Sequence, residues 1–426
     1  MTAAVTDSTT DESLDEFRQR VRDWLPDNMP LVGDGAAAIE RYTDYGSVVK
    51  RHRELQRRLW DGGLAGICFP REYGGLGLST QHRLVFNEET RDYEMPTAFN
   101  TPTFSIIAPT LLDFGTPEQL SWIIPAMLRG DHLWSQFLSE PSGGSDVAGA
   151  LTSAVRDGDE WVLNGSKIWT TFADHANWAL CLARTDWDAP KHRGLSVFIV
   201  EIHQPSIEIR RIRMINGSDE FCEEFLTDVR VPQSAVLGEV NQGWTVGTRW
   251  MFHERNGSGG GSPFTVGSGN GGQRGPTLEL AELAQQTGAM RDPVLRREVG
   301  EAWMLGRVQE QVIARVTDSI RAGVLPDTAA GIMRLYRGTA AVRLSTIARD
   351  LCGPAAAVWS EDDPQAGVHG TQYLMRQTAC LGGGSTEMAR NVLSERLLGM
   401  PREASGDRDV AFRDVQRSSR ASAPPK

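Results

Sequence analysis

Cysteine is scarce in this chain and follows no pattern. Its 426 residues hold five, Cys68, Cys181, Cys222, Cys352 and Cys380, with no Cys-x-x-Cys pair. An odd, scattered set fits neither a disulfide framework nor a cysteine zinc site, and points to free thiols in a reducing compartment. Basic charge is also short: 44 Lys and Arg stand against 55 Asp and Glu, a net charge of −11. That argues against a nucleic-acid surface, which needs clustered cations. It does not bear on an anionic small substrate, because a local basic groove can exist on an acidic protein. No apolar run reaches membrane-spanning length, and Met1–Glu16 lacks the basic and apolar regions of a signal peptide. The expectation is a cytoplasmic protein with no membrane span and no nucleic-acid partner.

The rest is ordinary globular material, 40% hydrophobic and 23% charged, long enough for two or three cores. Helices are expected first. Ser13 and Glu16 form a capping box ahead of a stripe of Leu14, Phe17, Val21 and Trp24, with Pro26 as the stop. Further helices are expected over Val49–Leu59, around Arg83–Tyr93 and over Pro117–Leu128. From about Leu133 the texture turns to short β-type runs: Trp161–Leu163, Trp178–Leu182, Leu195–Val200, Ile207–Ile212 and Phe225–Val231. Polar turns such as Asn164-Gly165 separate them. Helical character returns at Gln242 and lasts to about Leu398, interrupted by a Gly/Ser-rich stretch from Asn256 to Gly275 that reads as a flexible loop. This divides the chain into a helical domain at 1–132, a β domain at 133–240, a helical bundle at 241–404 and a disordered tail at 405–426.

Two segments carry possible chemistry. Phe137-Leu138-Ser139-Glu140-Pro141-Ser142-Gly143-Gly144-Ser145-Asp146 is a small-residue turn whose backbone can approach a planar ring or a phosphate. Its plain alternative is a β-turn. Asn164-Gly165-Ser166-Lys167-Ile168-Trp169-Thr170-Thr171 offers a hairpin, then an aromatic and hydroxyls; alone, the Trp-Thr pair reads as core packing. A third feature is a helical face of Gly247, Trp250, Met251 and Glu254, where an acid on an apolar face is costly without a task or a partner. The partner reading is an ion pair with Arg255.

Taken in order, Ser-Glu-Pro-x-x-Gly-Ser-Asp, Asn-Gly-x-Lys-x-Trp-x-Thr, Phe225–Pro232, Gly243-Trp244 and Gly384–Asn391 followed by Glu395–Glu403 resemble the acyl-CoA dehydrogenase family. The resemblance covers Phe17 to Glu403. It implies an α+β fold: an α-helical N-terminal domain, a β-barrel-like middle domain and a C-terminal four-helix bundle. It implies FAD-dependent α,β-dehydrogenation of an acyl-CoA thioester, as in fatty acid β-oxidation, with electrons passed to an electron-transfer flavoprotein. By position, Phe137, Leu138 and Ser139 would meet the flavin's pyrimidine side, Trp169 its ring and Thr171 its N5 edge. Ser145 would sit by the pyrophosphate or the CoA arm, Arg255 by the substrate, and Ser385 and Glu387 further along the cofactor.

The reaction needs a buried carboxylate to take the α-proton, and burial strengthens a glutamate as a base. The family places it either before Gly-Thr in the C-terminal motif, where this chain has Gly383, or on the first bundle helix, where it has Glu254-Arg255. Glu254 is therefore the expected base, with Glu387 and His253 as weaker competitors. Gly383 is left a backbone role as oxyanion donor. The usual arginine and glutamine for the adenine half of FAD are absent, with Arg274 a possible substitute. The oligomer is thus expected to be homomeric or mixed with a related subunit. A same-fold oxidase or monooxygenase and a non-catalytic partner subunit are the alternatives.

Overall fold

The computed structural model describes residues 12–32, 45–258, 261–267, 276–358, 364–402 and 406–415. Arg274, Glu403 and half of the Gly/Ser-rich stretch lie outside them.

The N-terminal part is helical: α1 (Leu14–Asn28), α2 (Tyr45–Asp61), α3 (Thr80–Glu89), a π turn at Asn100–Ile107, α4 (Ala108–Phe114) and α5 (Pro117–Leu128). The capping box forms as read, with Glu16 N–H on the Ser13 hydroxyl and the Glu16 carboxylate on Ser13 N–H. Pro26 does not end α1. It sits in the last turn, where its missing N–H costs one ladder bond, and Met29 N–H still closes on Leu25 O at 2.9 Å. The buried stripe is Phe17, Val21 and Leu25, whereas Leu14 is exposed. It packs with Leu55 and Leu59 of α2 and Phe86 of α3.

The middle part is one sheet of β1 (Trp134–Phe137), β2 (Ser153–Asp157), β3 (Glu160–Thr171), β4 (Trp178–Arg184), β5 (Leu195–Glu201), β6 (Ile207–Ile212), β7 (Phe221–Pro232) and β8 (Val236–Leu237). Its order is β6-β7-β3-β2-β4-β5-β8, with β1 parallel to β4. β4 and β5 are largely apolar because nearly every residue in them is buried, with Arg184 and Ser196 the buried polar exceptions. Asn164-Gly165 is not a turn. It lies inside β3 at a register shift against β7, and a Cβ on Gly165 would meet the Thr152 hydroxyl at 2.6 Å. The chain reverses at Gly158 (φ 63°), between β2 and β3.

The C-terminal part comprises α6 (Gly243–Ser258), α7 (Pro276–Gln286), α8 (Pro293–Arg321), α9 (Ala330–Cys352), α10 (Pro364–Met375) and α11 (Thr386–Val392). α7, α8 and α9 share a core of Leu280, Leu283, Ala284, Ala302, Ile347 and Leu351. α6 is set apart from it: Val246 and Trp250 belong to the central core built on the sheet.

Two stretches expected to be loose are docked. Residues 261–267 of the glycine-rich segment pack on the N-terminal helices, where the Phe264 ring lies 4.5 Å from Phe69 and Asn100 Nδ2 donates to Val266 O at 2.8 Å. Residues 406–415 of the tail return to the sheet. Phe412 N–H bonds Ala189 O at 3.0 Å, and its ring, 2% exposed, lies 3.4 Å from the Arg184 guanidinium. Apolar anchors that polar flanks conceal hold both. None of the five cysteines is in a disulfide. Among the described residues, no helix is long and apolar enough to cross a membrane.

Candidate active site

β1 and the turn after it are tied to β3 by side-chain and backbone hydrogen bonds. Ser135 Oγ donates to Thr171 O at 2.8 Å, and Ile168 N–H to Ser139 O at 3.0 Å. Beneath them lies a buried ion pair. Lys167 Nζ donates to Glu140 Oε1 at 2.8 Å, to Leu182 O at 2.7 Å and to Leu138 O at 3.4 Å. The Glu140 carboxylate accepts from Leu151 N–H at 2.6 Å and Thr152 N–H at 2.9 Å. Burial pushes the Glu140 carboxyl up, but the Lys167 ammonium and these donors together hold it below the usual carboxylate range. Motifs some 30 residues apart are thus clamped side by side.

At Trp169 the ladder between β3 and β7 shifts register, and the residue adopts a left-handed backbone (φ 64°). The bulge turns its indole outward, 52% exposed, with its edge on Phe221. Behind the bulge, Thr170 Oγ1 donates to Glu224 Oε2 at 2.8 Å, while Glu224 Oε1 has no partner. Burial raises this carboxyl to about 8.

α6 adds one residue, Glu254, to the same lining. Pro102, Gln136, Leu138, Ser139, Ile168, Trp169, Thr170, Thr171 and Glu254 line one narrow pocket. Glu254 is the only ionisable group among them. Burial raises its pKa, opposed by Arg255, Arg334 and the Gln136 side chain. Burial in turn lowers the pKa of Arg255. His253 faces elsewhere, its Nε2 2.8 Å from Asp113. A separate depression bordered by Arg53, Arg57, Arg129 and Asp131 shares no residue with this pocket.

The structure therefore gathers Leu138, Ser139, Trp169, Thr171 and Glu254 in one place. Phe137 lies beside them, its side chain fully buried in the core. It does not bring Ser145, Arg255, Gly383, Ser385 or Glu387 to this lining: Ser145 and Glu387 are exposed, and Ser385 caps α11 by accepting from Met388 N–H. Gly383 is buried with φ 72°, a backbone that any side chain would strain. Arg334 of α9, 8% exposed, pins the loop ahead of it through Ala379 O at 2.8 Å and Gly382 O at 2.7 Å.

Gln136, Glu224 and Arg334 were not legible as site residues. The available signals were a lone amide in the apolar run Leu133–Leu138 and an acid sharing strand parity with buried Cys222 and Leu226.

Comparison with known proteins agrees with this layout. The acyl-CoA dehydrogenase N-terminal domain matches residues 11–131, and the acyl-CoA dehydrogenase middle domain matches residues 135–229. The chain is 34% identical over 401 residues to acyl-CoA dehydrogenase IpdE1 of Mycobacterium tuberculosis, covering 93% of this chain and 100% of that one. Among solved structures, the Tcur3481-Tcur3483 steroid ACAD superposes with a TM-score of 0.74 at 28% identity, over 92% of this chain and 98% of its own. The ChsE4-ChsE5 complex of Mycobacterium tuberculosis shares the fold, with a TM-score of 0.69 at 24% identity over 92% of this chain and 98% of its own. With the helical, sheet and helical parts in order and relatives matched along nearly the whole length, the chain belongs to the acyl-CoA dehydrogenase family of flavin-dependent oxidoreductases.

Proposed function

We propose that the protein desaturates a bulky, steroid-derived acyl-CoA between its α and β carbons, with FAD as cofactor and an electron-transfer flavoprotein as electron acceptor. The observation that carries the reading is one pocket holding a lone carboxyl, Glu254, together with Leu138–Ser139 and the Trp169–Thr171 bulge. These residues fit a flavin. The bulge holds a half-exposed indole at the rim, a flat apolar surface suited to stacking on a ring system. FAD bound there would supply the hydride acceptor for the β-carbon. Leu138 and Ser139 would meet its polar edge, and Thr171 would hydrogen-bond beside its reactive position.

Glu254 takes the α-proton onto its carboxylate. In a desolvated pocket the charged form is less stable than in water, which makes it a stronger base toward a weak carbon acid. Gly383 N–H is assigned to the thioester oxygen, where negative charge grows as the proton leaves. Arg334 holds the loop that presents it. The steroid class is taken from the structural relative described as a steroid ACAD. In an anaerobic titration with butyryl-, octanoyl-, cyclohexane-1-carbonyl- and steroid-acyl-CoA, the last should bleach the flavin most completely. Bleaching by butyryl-CoA alone would replace the substrate class. Rapid oxygen consumption by the reduced protein would favour the oxidase alternative.

We further propose a mixed assembly with a related chain. The same relative is described by two chain designations, and α8 exposes Trp303 (59%), Met304 (48%) and Val308 (36%) within two turns. Native mass spectrometry of the protein made with a neighbouring family member should show a complex with fewer flavins than chains, and the protein made alone should retain flavin poorly. Linkage is the basis: a cofactor held by both subunits stabilises their interface. A stable homo-oligomer carrying one FAD per chain would overturn this assembly and leave the dehydrogenase reading in place.

A further inference from the structure

From the sheet, Gln136 of β1 lines the pocket together with Glu254. Trp250, fully buried one turn before Glu254 on α6, donates its indole N–H to Gln136 Oε1 at 2.5 Å. An indole nitrogen can only donate, so this bond settles which way the amide faces. The oxygen belongs to Trp250, and the NH2 end is left for the carboxyl of Glu254, which meets the Gln136 side chain in the same pocket. Turning the amide over would set two donors against each other at Trp250 and two acceptors against each other at Glu254.

We propose that Gln136, oriented by Trp250, is a positioning residue that keeps Glu254 ionised and aimed into the pocket. The role rests on the reading of Glu254 as the base. Two residues of α6, Trp250 and Glu254, thereby grip the two ends of one amide on β1, joining the C-terminal helices to the sheet at the reacting position.

The charged groups that influence Glu254 are Arg255 on its own helix and Arg334 from α9. From the β3 side come only the uncharged residues Ile168–Thr171. Burial drives the carboxyl toward its neutral form, and these two cations and the Gln136 amide oppose it. Glu254 acts as a base only above its pKa. Loss of the amide donor raises that pKa and moves the acid limb of the rate profile to higher pH.

The test uses the full-length protein labelled with 13C-glutamate and follows the carboxyl bands by infrared spectroscopy across pH, with Glu254→Gln identifying the Glu254 band. Gln136→Leu should raise the Glu254 titration by about one pH unit, the worth of a hydrogen bond to a charged group. Trp250→Phe, which frees the amide to turn, should move it less and in the same direction. Gln136→Glu keeps the shape and the acceptor for Trp250 but presents an acid to Glu254, so like charge should add to the rise. Gln136→Leu is the decisive variant, because a role in packing alone predicts an unmoved titration there. In turnover, the acid limb of kcat/KM for the thioester that best bleaches the flavin should rise by the same amount. An unmoved Glu254 band in Gln136→Leu overturns the proposal. If Glu254→Gln keeps full turnover, the base assignment fails, and the infrared titration still decides whether Gln136 controls this carboxyl.

Discussion

Glu254→Gln is expected to leave the fold and flavin content unchanged and to slow substrate-driven flavin reduction by about 10²- to 10⁴-fold, the usual worth of a positioned general base. The amide keeps the size of the carboxyl but cannot accept a proton from carbon. Because Glu254 is the only ionisable group lining the pocket, no neighbouring side chain there can take over. Anaerobic single-turnover mixing isolates the chemical step from product release, so the loss should appear in that rate and not in the substrate concentration giving half-saturation. The sign with pH follows from the raised pKa: wild-type rates fall as pH drops through it, because the neutral acid is no longer a base. A variant within about tenfold of wild type would end the assignment. Glu387 is a poor heir, since it is exposed and its carboxylate meets Thr386 and Arg390.

Lys167→Met should be the most destabilising single change in the sheet. It strands the buried Glu140 carboxylate with two amide donors and no countercharge, and breaking a buried ion pair from one side costs about 3–5 kcal/mol. Two carbonyls, Leu138 O and Leu182 O, also lose their donor. The urea midpoint should fall accordingly, and Glu140→Gln added to Lys167→Met should recover part of the loss by removing the stranded charge. The folded Glu140 pKa lies below its unfolded value. The stability it contributes is therefore present above the ordinary carboxylate range and disappears as pH falls through the folded value. A loss under about 1 kcal/mol for Lys167→Met would show that the pair is dispensable.

Where local chemistry decides structure, the sequence was readable. The Ser13–Glu16 box, the bounds of α5 and the ends of β6 follow from caps, periodicity and alternation that neighbours do not override. Asn164-Gly165 misled because the dipeptide favours a turn on its own, while here the closeness of Thr152 requires a residue with no Cβ inside a continuous strand. The site was legible to the extent that it was linear. Leu138, Ser139, Trp169, Thr171 and Glu254 stand in recognisable motifs and share a pocket. Gln136, Glu224 and Arg334 owe their surroundings to pairing across strands and helices far apart in the chain. The local signals for Gln136 and Glu224 say only that each sits in a buried stretch, not what it faces. The docked tail eluded composition for a related reason: one aromatic, Phe412, anchors a segment whose other residues are exposed or half-buried.

That anchor bears on the order in which the molecule can be completed during synthesis. Arg184, fully buried, ties down Ala148 O at 2.6 Å and Ala150 O at 3.1 Å, the far end of the turn that begins at Ser139. Its remaining face is covered by Phe412. The neighbouring pair Arg413 and Asp188 is separated by 225 residues, which a ribosome adding about 5–20 residues per second takes ~10–45 s to traverse. Throughout that interval the nascent sheet lacks the Phe412 ring, and Trp187 and the Lys191 carbonyl are left to flank the Arg184 guanidinium. The middle of the chain is thus finished by a segment translated long after it.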